Sequence, residues 1–118
     1  MRIRKLDPKG VEYVVLYGSY AAGREAPGSD IDLAVSYRGS LEERFRFRIK
    51  AQGALGENFD VQIFQDLPVH VRNEVVTGGK VVFCRDYKRM FAEYMRHIRE
   101  YADFKKYLDH YYAQLEKA

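Results

Sequence analysis

Asp30 and Asp32 stand two residues apart in the stretch Ser-Asp-Ile-Asp-Leu, and Gly18-Ser19 precede Asp30 with ten residues between. In an extended chain, residues two apart project to the same side, so both carboxylates are held together with Ile31 turned away. Unpaired, they repel each other and one tends to take up a proton; a divalent cation removes that conflict and seeks oxygen ligands of this kind. Gly18 can adopt backbone angles closed to other residues and lets a ligand approach the chain, while Ser19 offers an amide and a hydroxyl to phosphate oxygens. The pattern suggests a triphosphate held together with a metal. In Asn-Phe-Asp-Val-Gln-Ile-Phe, alternation sets Asp60 opposite Val61 and Ile63, which adds a third carboxylate, enough for a two-metal site.

Other reactive side chains give weaker signals. Arg24, in a glycine-rich stretch with Gly23 and Gly28, can neutralise phosphate charge or simply be a solvated loop arginine. His70, His97 and His110 all lie far in sequence from the acidic strands, and a capping or surface role is expected for His70 in the helix after Pro68. Cys84, the only cysteine, ends the apolar run Val-Val-Phe-Cys and reads as a buried, unreactive thiol; no internal disulfide can form.

The elements that must position these residues follow from pattern. Val11 to Tyr17 and Ile31 to Tyr37 are β-branched and aromatic, stop at glycine-containing turns, and read as strands. Leu41 to about Leu55 is predicted helical: Leu41, Phe45 and Ile49 keep a four-residue spacing, and Ser40 with Glu43 forms a capping-box pattern. Asn58 to Phe64 reads as a third strand, Pro68 opens a helix that ends at Gly78 and Gly79, and Lys-Val-Val-Phe-Cys is a short fourth strand. From Asp86, a plausible N-cap, apolar residues recur at threes and fours to Leu115, giving one helix or two stacked ones. A continuous helix from Tyr87 to Lys117 would run about 45 Å at 1.5 Å per residue, beyond the width of a small domain. Six of the ten tyrosines fall in it, so the stripe Tyr94, Tyr101, Leu108, Tyr111 is either core or a partner surface.

Composition bounds the rest. The 118 residues suit one domain, with 47% hydrophobic and 31% charged residues, as in a soluble globular protein. The apolar stretch after the basic start is too short for a signal peptide or membrane span, so a cytoplasmic protein with no membrane contact is expected. A net charge of +3 is mild and does not call for direct nucleic-acid binding.

Gly18-Ser19, ten residues, then Asp30-Ile31-Asp32 resembles the signature of the minimal nucleotidyltransferases of the DNA polymerase beta superfamily. Gly23, Arg24, Ser29, Leu33, Asp60 and the Arg99 to Tyr111 segment are similar as well. The resemblance covers nearly the whole chain. It implies an α/β (α+β) fold of the polymerase-beta type: a mixed sheet of about four strands flanked by helices, with a long C-terminal helical segment over 86–118 of a single domain, 1–118. It implies attack by an acceptor hydroxyl on the α-phosphate of ATP. Two Mg²⁺ ions would be held by Asp30, Asp32 and Asp60, Asp60 is the candidate base, and Gly18, Ser19, Arg24 and Ser29 would bind nucleotide. Proteins of this kind are commonly antitoxins that attach AMP to a tyrosine of a HEPN-type ribonuclease toxin. A binding-only antitoxin and a transferase acting on a small molecule such as an aminoglycoside stay open beside that reading. So does a homo-oligomer, since a second chain could supply the acceptor surface this domain lacks.

Overall fold

The structure, a computed structural model, describes residues 7, 9–23, 28 and 30–117. In chain order the elements are β1 (Val11–Tyr17), a helical turn α1 (Gly18–Ala21), β2 (Ile31–Tyr37), α2 (Leu41–Leu55), β3 (Phe59–Ile63), a 3-10 turn (Phe64–Asp66), α3 (Val69–Gly78), β4 (Lys80–Cys84) and α4 (Tyr87–Lys117). The four strands form one mixed sheet in the order β3-β2-β1-β4. Strand β1 runs antiparallel to β2 and β4, whereas β2 and β3 are parallel. A parallel pair cannot be joined by a tight turn, and α2 supplies the crossover.

Strand β3 is shorter at both ends than its alternation suggests. Asn58 lies just before it, its carbonyl accepting from the Ile31 amide (2.9 Å), and Phe64 starts the 3-10 turn. The capping box at α2 is present: Ser40 Oγ accepts from the Glu43 amide (3.2 Å), and the Ser40 amide donates to Glu43 Oε1 (2.9 Å). The stripe that predicts this helix is not its core face, however. Leu41, Phe45 and Ile49 are 66%, 59% and 53% exposed, whereas Phe47 and Ala51 are buried. Residues two apart on a helix lie about 200° around it. The Phe45/Ile49 and Phe47/Ala51 rows therefore point opposite ways, and only the second meets the sheet.

The sheet has a core on each face. Under α2, Phe47 and Ala51 pack on Val14, Leu33, Val35, Tyr37, Val61 and Ile63. On the other face, Tyr13, Val15, Tyr17, Ala34 and Phe64 are covered by Val75 of α3 and by Met90 and Tyr94 of α4. Helix α4 is continuous, with the Lys88 amide donating to Asp86 Oδ1 (3.0 Å) as the N-cap prediction requires. Its tyrosine stripe divides. Tyr94 makes ring contacts with Tyr13 and Phe64, and half-buried Tyr101 lies against His97, but Tyr107, Tyr111, Tyr112 and Leu115 are exposed. Among the described residues, no helix is long and apolar enough to cross a membrane.

Candidate active site

Tyr17, Asp32 and Asp60 form one row across three strands: Tyr17 is the antiparallel partner of Asp32, and Asp32 the parallel partner of Asp60. Strands lie about 4.8 Å apart, so the two carboxylates are lateral neighbours. Alternation turns all three side chains to the face that carries Ala34 and Val15. Asp30 is exposed and stands one residue before β2, which starts at Ile31 as its pattern predicts, with the Ile31 amide making the strand's first bond to its neighbour.

The row gathers negative charge. Burial raises the Asp32 carboxyl above its usual value, and Asp60, Asp30 and Glu74 push it further in the same direction. Burial likewise pushes the Tyr17 phenol up to about 12, reinforced by Asp32, Asp60 and Glu74, so Tyr17 stays protonated and neutral beside the carboxylates. Glu74 projects from α3 and has no signal in the sequence; only the packing of α3 against β1 brings it near.

Gly18 adjoins this row. Its φ of +74° suits glycine, and a Cβ there would stand 2.3 Å from Asp32 Oδ2. The Gly-Ser pair does not form an open loop: it begins α1, closed by the Ala22 amide donating to the Gly18 carbonyl (3.1 Å), with Ser19 half-buried. Arg24 and Ser29, the other expected nucleotide-binding residues, lie outside the described residues.

Asp60 is held from its outer side. Gln62 Nε2 donates to Asp60 Oδ1 (2.9 Å), and Gln62 Oε1 accepts from Arg48 Nε of α2 (3.3 Å). One turn on, Gln52 donates to the Phe59 carbonyl (2.6 Å) and accepts from the Val61 amide (2.9 Å), bracketing Asp60. None of these partners was legible as part of a site.

Among the described residues, no three His, Cys, Asp or Glu side chains stand together ready to hold a metal ion. The donor set nonetheless fits one. Two strand carboxylates side by side, with a third one residue before β2 raising Asp32 by repulsion, are hard oxygen ligands whose conflict a divalent cation relieves. The remaining candidates stand apart from this chemistry. His70 and His110 are exposed, and His97 is buried against Phe64 with its Nε2 3.3 Å from Asn73 Oδ1. Cys84 is half-buried rather than buried as its apolar run suggests, and burial pushes its thiol up, away from the reactive thiolate.

Residues 3–88 match the sequence pattern of the family described as "Polymerase beta, Nucleotidyltransferase". The chain belongs to that family. A relative in Methanocaldococcus jannaschii that carries the provisional name protein adenylyltransferase is 33% identical over 70 residues, which are 59% of this chain and 53% of that protein. The chain thus spans about half the length of this curated relative. Among solved structures, a chain of a toxin–antitoxin complex with AMP-PNP superimposes with a TM-score of 0.69 at 23% identity, covering 89% of this chain and 86% of that one. A second match, with a TM-score of 0.65 at 20% identity over 89% of this chain and 82% of that one, is to a complex of tri-AMPylated Shewanella oneidensis HEPN toxin with MNT antitoxin. At such identities the likeness establishes a shared fold: the mixed sheet, its flanking helices and the long C-terminal helix.

Proposed function

We propose that this chain is a magnesium-dependent nucleotidyltransferase that moves AMP from ATP to a hydroxyl, a tyrosine of a cognate HEPN-type ribonuclease, and so acts in the cytoplasm as the antitoxin of a pair. The observation that carries this reading is the Tyr17–Asp32–Asp60 row, with Gly18 seated against Asp32 and Asp30 one residue before β2. The family supports the reaction class, and the AMP-PNP-bound and AMPylated complexes of its structural relatives support the nucleotide and the kind of acceptor.

Asp30, Asp32 and Asp60 would hold two magnesium ions, one shared by all three and one by Asp30 and Asp32. Bound there, the metal supplies charge stabilisation on the phosphates and lowers the pKa of the attacking hydroxyl. Asp60 accepts the acceptor's proton as its oxygen bonds to the α-phosphorus; the bond to the β-phosphate oxygen breaks and pyrophosphate leaves. Gly18 keeps the wall beside Asp32 free of side chain, so that phosphate can approach the backbone, and Ser19 offers its hydroxyl to it. Tyr17, neutral and buried, closes the row on the β1 side without adding charge.

Mass spectrometry of a HEPN-type ribonuclease incubated with this chain, ATP and Mg²⁺ tests the reading. An AMP adduct on a tyrosine is expected. A ribonuclease that is bound and silenced but unmodified would make the chain a binding-only antitoxin.

A further inference from the structure

Strand β3 is the edge of the sheet, so its outer side has no neighbouring strand to hold it, yet it carries Asp60. Helix α2 supplies the missing neighbour with two side chains one turn apart, Arg48 and Gln52. A primary amide has the same donor and acceptor as a peptide group. Gln52 uses both as a strand would, donating to the Phe59 carbonyl and accepting from the Val61 amide, and it also donates to the Gly56 carbonyl (3.0 Å), where α2 ends. The backbone on either side of Asp60 is thereby clamped.

The Asp60 carboxylate is aimed by a second relay whose direction is chemically forced. Arg48 can only donate and an ionised carboxylate can only accept. Gln62, between them, must therefore turn Oε1 to Arg48 (3.3 Å) and Nε2 to Asp60 Oδ1 (2.9 Å). With one lone pair of Oδ1 so engaged, Oδ2 is the freer oxygen for metal or proton.

We propose that Gln62, oriented by Arg48, is a positioning residue that aims Asp60 at its ligand, with Gln52 fixing the backbone beneath; this rests on the nucleotidyltransferase reading. Ligating carboxylates held by such outer partners lose about 10-fold or more in metal affinity or activity when the partner is removed. Mn²⁺ binding to the full chain with AMP-PNP, followed by electron paramagnetic resonance, tests this beside the kinetics of transfer. Gln62→Met should weaken Mn²⁺ binding and lower kcat, each about 10-fold, with KM for ATP changed less than about 2-fold and thermal unfolding near wild type. Arg48→Met should shift both readouts in the same direction, and Arg48→Lys, which keeps a donor, should restore most of the loss. Wild-type Mn²⁺ affinity and kcat in Gln62→Met, or equal losses in Arg48→Lys and Arg48→Met, would overturn the proposal. A wild-type protein that binds no Mn²⁺ with AMP-PNP would instead overturn the nucleotidyltransferase reading itself, before any variant is compared.

Discussion

Gly18 separates the demands of folding from those of the site. A side chain at φ +74° strains the backbone, and its Cβ would meet the far end of the Asp32 side chain, which can rotate away. Gly18→Ala should therefore destabilise the fold by only about 1–2 kcal/mol, the left-handed penalty for an L-residue. Moving the Asp32 carboxylate should abolish Mg²⁺-dependent AMP-PNP binding. Denaturant unfolding and calorimetry on the same variant check both halves. His97 makes a different residue-scale prediction. The Asn73 side-chain amide oxygen Oδ1, 3.3 Å away, can only accept, so Nε2 carries the hydrogen, and burial followed by the Arg72 charge lowers the imidazole's pKa, with Glu100 opposing. The unfolded chain then binds more protons below about pH 6.5 than the folded one, and stability falls as pH drops through that value. His97→Phe keeps the ring contacts with Phe64 and Tyr101 and should flatten the loss between pH 7.5 and 5.5 in thermal unfolding.

At the scale of elements, α4 is two surfaces on one helix. Half-buried Tyr94 closes a triangle of rings with Tyr13 and Phe64 at the edge of the core, with centroids 5.9 and 6.0 Å away, whereas Tyr111 is half-exposed toward the free end. Tyr94→Ala should cost about 3–5 kcal/mol, as for other large aromatic truncations in cores. Tyr111→Ala should stay within about 0.5 kcal/mol, as surface changes do. Equal losses in urea unfolding would mean that the free half of α4 is also core. What was legible in the sequence follows the same local-versus-distant divide. Asp30, Asp32 and Gly18 could be proposed for the candidate site because their meaning is local: a two-residue spacing and a glycine after a strand. Asp60 could be proposed from alternation alone, and the structure pairs it with Asp32. Gln52, Gln62 and Arg48 could not, because their meaning depends on β3 being an edge strand, and Glu74 depends on α3 packing over β1. Leu41, Phe45 and Ile49 predicted the right helix and the wrong face, since two apolar rows two residues apart leave periodicity unable to choose between them.

For the whole molecule, a small sheet holds its carboxylates along one row and gathers more negative charge there than its own side chains relieve. Under the proposed function, the row takes a cation and a phosphate, and the acceptor hydroxyl comes from the HEPN-type ribonuclease. The measurement that tests this most directly asks which phosphate bond breaks. With Mg²⁺ and a HEPN-type ribonuclease as acceptor, label from α-labelled ATP should become protein-bound, label from γ-labelled ATP should leave as pyrophosphate, and Asp32→Asn should abolish both while remaining folded. Protein-bound γ-label, or transfer that survives in Asp32→Asn, would contradict the account.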